Sequence, residues 1–87
     1  MKIHDLKIQK QFLEDIKSGL KTWEIRNTSD RWFDVGDQLF LREWDGKKHT
    51  GPSILVNVTY IMTSGFGMPG NYCSMSIVPV DPMEYVK

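Results

Sequence analysis

Within Lys21-Thr22-Trp23-Glu24-Ile25-Arg26 an ammonium, a hydroxyl, a carboxylate and a guanidinium follow one another closely. In an extended strand successive side chains alternate between faces. Thr22, Glu24 and Arg26 are therefore expected on one face and Trp23 and Ile25 on the other, with Lys21 at the strand's entrance. On this reading Trp23 and Ile25 anchor the strand in the core and the polar set faces outward. Such a set suits a planar polar ligand: a carboxylate accepts from an amino group, while Arg26 and Lys21 donate to carbonyls or phosphate. The plainer reading is that Glu24 and Arg26 form an exposed ion pair that recognises nothing.

A second group is Arg42-Glu43, next to Trp44. The two charges fall on opposite faces of a strand, so one points inward or into a cleft and needs a partner, for which Arg26 or Glu24 would serve. At a strand end both would simply reach water. Trp32, Phe33, Trp44 and Tyr72 lie in or beside loops, where an aromatic either stacks on a base or plugs an end of the core. Lys47-Lys48-His49 is a basic loop tip, suited to a phosphate and equally to solvent.

These residues need elements to hold them. Ile3, Leu6 and Ile8 suggest a first strand. Gln9 to Ser18 reads as a helix with Phe12, Leu13 and Ile16 on one face, stopped by Gly19. Strands are expected over 22–26, 38–44, 54–62 and 72–80. Residues 27–34, 45–52 and 63–71 connect them, and Asp81-Pro82 begins a tail. In the third of these strands Ile54, Val56, Val58 and Tyr60 are expected on one face. Five or so short, mostly antiparallel strands with one main helix after the first predict an α+β domain built as a small, mixed barrel.

Length and composition narrow the classes. At 87 residues there is room for one core, so residues 1–87 read as a single domain. Eleven basic residues balance eleven acidic ones, which counts against broad non-specific nucleic-acid binding and leaves room for a locally basic cleft. Cys73 is the only cysteine and stands in an apolar run, as a buried small hydrophobe would. His4 and His49 stand apart from it and from each other, so no metal site is expected. No cofactor motif, nucleophile triad or phosphate loop is present. The start of the chain lacks an apolar signal core and no segment reads as a membrane span, so a cytoplasmic protein is expected.

Gly19-x-Lys21-x-x-Glu24-x-Arg26 resembles the G-x-K-x-x-E-x-R signature of the ASCH domains of the PUA-like superfamily. The likeness extends over most of the chain, through His4-Asp5-Leu6-Lys7-Ile8, Phe33-x-x-Gly36-Asp37-x-Leu39-x-Leu41-Arg42-Glu43, Thr50-Gly51, Val56-x-Val58-x-Tyr60 and Gly70-x-Tyr72. It is to a short phage and bacterial subfamily of unassigned function. The resemblance implies a PUA-like barrel with an RNA- or nucleotide-binding cleft beside the signature. Lys21, Thr22, Glu24 and Arg26 would line that cleft, with Arg42, Glu43 and Tyr72 as neighbours. One branch of the family resembles small amidohydrolases acting on acetylated cytidine, with a lysine, a threonine nucleophile and a glutamate. Lys21 matches the lysine, but Glu24 stands at the threonine's place, and the later glutamate has no counterpart. The expectation is a binding module for RNA or a nucleotide. The alternatives are an amidohydrolase using Lys21 and Glu24, or a protein-interaction domain.

Overall fold

The computed structural model describes residues 1–65 and 67–81; Phe66 and the tail from Pro82 onward lie outside them. Strand β1, Ile3–Ile8, alternates exposed and buried side chains, turning His4, Leu6 and Ile8 inward. After Gln9 the helix α1, Lys10–Lys17, buries Leu13 and Ile16 against what become the third and fourth strands. Gly19 takes φ 84 just beyond the helix, a conformation glycine adopts without a Cβ penalty. The chain then forms β2 (Trp23–Asn27), β3 (Gln38–Trp44), β4 (His49–Met62) and β5 (Tyr72–Pro79).

The five strands make one sheet in the order β1-β3-β4-β5-β2. The β1–β3 pair is parallel and the other three are antiparallel. The sheet curls into a half-barrel, so its two edge strands approach each other. There the Arg26 Nη2 of β2 donates to the Lys7 carbonyl of β1 at 3.0 Å. Leu39, Leu41, Val56, Val58, Cys73 and Met75 fill the concave side with Leu13 and Ile16 of the helix. Burying each such aliphatic side chain contributes about 1.5–3 kcal/mol.

The expected five strands and single helix are present, and β3 matches its expected bounds. Three expectations about faces are corrected. In β2 the faces are reversed: Trp23 and Ile25 are 47% and 48% exposed, while Glu24 is only 4% exposed. The cause is register. Glu24 stands opposite Met75 and Arg26 opposite Cys73, and paired residues share a face, so the strand's charged side lies over the core. Phe12 is 43% exposed, because the short helix seats Leu13 and Ile16 and leaves Phe12 at the margin. Tyr60 is 65% exposed because the pairing with β5 slips between Val58 and Tyr60. That bulge adds a residue and reverses the alternation, bringing Ile61 rather than Tyr60 against the core.

The β3–β4 connection is also shorter than expected. Asp45 accepts the backbone N–H groups of Lys47 and Lys48, closing a tight turn, so that His49 already stands opposite Trp44.

Candidate functional site

Glu24 is a buried carboxylate on β2, and its chemistry depends on what it meets. Its Oε1 accepts from Lys21 Nζ and its Oε2 accepts from Arg26 Nε at 2.9 Å. Isolated burial of a carboxylate would be very costly, so two cationic donors are the condition for placing Glu24 there. Lys21 comes from the turn after the helix, where its backbone N–H donates to the Asp15 carbonyl. Beside it, Thr22 accepts from the Ile77 N–H through its own carbonyl and ties the turn to β5. The Thr22 side chain is exposed.

Both cations lie near the surface, where Lys21 and Arg26 are half-buried. The Lys21 ammonium also donates to the Trp23 carbonyl. It sits 4.6 Å from the Trp23 ring centroid and 5.7 Å from that of Phe12, within range of a cation–π attraction. Arg26 spends one donor on Glu24 and another on the Lys7 carbonyl. The arrangement is a buried anion holding two cations at the seam of the half-barrel, with exposed aromatic rings beside them. Trp23 is part of this surface because the strand faces are reversed, and Phe12 because the helix seats Leu13 and Ile16 instead.

Of the remaining expected site residues, Arg42 and Glu43 lie elsewhere. Arg42 donates through Nη1 to Asp5 Oδ2 at 2.9 Å on the outer side of β1 and β3. The Glu43 carboxylate accepts from Thr50 Oγ1 at 2.6 Å. It faces a groove of about 400 Å³ shared with Lys10, Leu13, Glu14, Lys17, Thr50 and Pro52. Neither Arg42 nor Glu43 meets Glu24 or Arg26. Tyr72 is half-buried opposite Asn27, one step along β5 from the residue paired with Arg26. Of the loop aromatics, Phe33 is buried as a core plug and Trp32 donates to Asp34 at 3.0 Å.

A second buried polar cluster escaped the sequence reading. His4 Nε2 lies 2.9 Å from Asp37 Oδ2, and the backbone N–H groups of Lys2 and Asp34 donate to the same carboxylate at 3.0 Å each. The Phe33 ring lies 4.6 Å from the imidazole, centre to centre. Burial pushes the Asp37 pKa up. The His4 hydrogen bond and the Asp34 and Lys2 N–H groups outweigh it and hold the carboxyl at about 2. The Cys73 thiol moves the other way, raised by burial and eased slightly by the Arg26 N–H. No sequence motif joins His4 to Asp37; only the parallel pairing of β1 with β3 brings their segments together.

Among the described residues, no three His, Cys, Asp or Glu side chains gather as a metal site. No helix among them is long and apolar enough to cross a membrane.

A half-barrel of five strands with one helix and a cation pair at its seam defines a small α+β domain. Residues 3–77 match a family described as a domain of unknown function, DUF3850, and the chain belongs to that family. A search among proteins of curated function finds no match. Among solved structures, the crystal structure of hypothetical protein PH0355 is similar at a TM-score of 0.64 and 20% identity. The alignment covers 92% of this chain and all of that one. At that identity the likeness concerns the fold.

Proposed function

We propose that this domain binds RNA or a nucleotide through Lys21 and Arg26, with Glu24 as the residue that positions both. The observation that carries the reading is the buried Glu24 carboxylate, whose two oxygens each accept from a different cation. Its role is to aim positive charge, and a phosphate is the ligand group that two such donors suit. On that basis Glu24 aims the cations, where the sequence alone suggests that it accepts from the ligand itself. In this reading the domain works as the RNA-binding ASCH domains do, whose signature its own resembles. The exposed Trp23 and Phe12 rings beside Lys21 suit a base next to that phosphate. The amidohydrolase alternative has less support, since Glu24 would have to take a proton through oxygens already occupied by cations.

The test is binding of short RNA oligomers and nucleotides to the purified domain at low salt. Lys21→Ala is expected to weaken binding about 10- to 100-fold, the cost of a charged hydrogen bond. Lys21→Arg should recover part of that loss. A wild-type domain that binds no RNA or nucleotide at low salt overturns the reading. So does sustained turnover of acetylated cytidine that disappears in Glu24→Gln.

A further inference from the structure

The basic and aromatic surface continues beyond the signature. From Arg26 the contacts cross the seam to the Lys7 carbonyl. The Lys7 side chain points outward, and its Nζ lies 3.9 Å from the Trp44 ring centroid. The Trp44 ring in turn meets His49 edge-on at 5.0 Å. Phe12 and Trp23 with Lys21 lie on one side of the Arg26–Lys7 contact, and Lys7 and Trp44 with His49 on the other, so a line of cations and aromatic rings runs across the seam.

The acids around this line are engaged. Glu24 holds Lys21 and Arg26, Asp5 pairs with Arg42, Glu43 accepts from Thr50, and Asp45 accepts from its own turn. Lys21, Arg26 and Lys7 outnumber Glu24, to which the first two are paired, so a chain with no net charge carries a locally cationic stretch at the seam.

We propose that a single-stranded RNA follows this line across the seam, with one phosphate at Lys21 and Arg26, the next at Lys7, and a base stacked on Trp44. The inference rests on the RNA-binding reading above and extends it to the strand's form and course. The partner is single-stranded because stacking on Trp44 needs an unpaired base, whereas a duplex keeps its base faces inside. Cations for the backbone and rings for the bases are how strands are held without reading their sequence, so little base preference is expected. Lys7 and Trp44 are separated from the signature in the chain and meet it only through the β1–β3 pairing and the curl of the sheet.

The experiment measures affinity for oligouridylates from about two to about six nucleotides, near the small end of site sizes for barrel domains. Wild type, Lys7→Ala, Trp44→Leu, Trp44→Phe and Lys21→Ala are compared. Wild-type binding should tighten with length. Lys7→Ala and Trp44→Leu should weaken the longer oligomer about 5- to 50-fold and hardly change the dinucleotide, while Trp44→Phe keeps most of the affinity. Lys7→Ala should also flatten the log-log salt slope by about 0.7, the share of one phosphate on a single strand. Lys7→Ala leaves the carbonyl that receives Arg26 in place, so it decides the matter if Trp44→Leu fails to fold.

If Lys21→Ala weakens the long oligomer while Lys7→Ala does not, the extended path is wrong and the signature reading stands. If wild type binds no RNA at any length, both fall. A duplex bound as tightly as the single strand also overturns the path.

Discussion

At Asp37 three donors converge on one buried carboxylate, and the result is measurable as stability. The carboxyl sits at about 2 in the folded domain against 3.8 for the free group. A lowered folded pKa contributes stability that is fully present above pH 3.8 and lost as pH falls toward 2. The difference corresponds to about 2 kcal/mol. Urea unfolding followed from pH 5 down to 2 should show that loss. Asp37→Asn should be destabilised at neutral pH by about 2 kcal/mol and lose most of this acid dependence, since it keeps the shape but not the charge. An unchanged acid profile in the variant would show that other carboxylates control it. Glu24 obeys the same rule that a buried anion must be met by donors, but it does so with side chains that reach the surface. Asp37 is met by His4 and backbone, and so binds the fold together rather than presenting anything.

Among the elements, β2 depends most on a side chain for its place. One of its edges pairs with β5, and across the seam Arg26 bonds to the β1 carbonyl at Lys7. Arg26→Lys keeps a cation but cannot reach Glu24 and Lys7 together through separate Nε and Nη2 donors. In that variant the amides of β2 are expected to exchange with solvent roughly tenfold faster or more, while those paired between β3 and β4 stay protected. Uniform acceleration over the sheet would mean that the seam bond supports the whole domain instead. This strand is also where sequence reasoning erred. Trp23 and Ile25 have the composition of a buried face, and alternation alone cannot say which face of an edge strand meets the core. Pairing with Met75 and Cys73 decided it. The error at Tyr60 came from an inserted residue, which alternation cannot reveal. By contrast the bounds of β3 and the helix stop at Gly19 were legible because local chemistry and tertiary environment agree there. The grouping of Lys21, Glu24 and Arg26 was legible too, through short spacing and a resembled signature. The joining of Lys7 to Trp44 and of His4 to Asp37 was not, because each depends on a parallel pairing across the helix.

Over the whole molecule the balanced charge sets the scale of any nucleic-acid binding. Eleven cations against eleven anions give no general attraction, so on the proposed reading only the few cations at the seam would engage phosphates. With two to three contacts on a single strand, the slope of log affinity against log salt should lie near −1.5 to −2. A titration from low to moderate salt checks this. A slope several times steeper would require a larger basic surface than the described residues provide. The curl of the half-barrel brings the first and last strands of the sheet order side by side, which gathers the cations of the proposed site.

The bond across the seam is received by the backbone of Lys7, and a carbonyl is the same whatever side chain the residue carries. The side chain at position 7 is therefore independent of the closure of the half-barrel. If the proposed RNA path is right, substitutions at position 7 would change what is bound without loosening the strand edges.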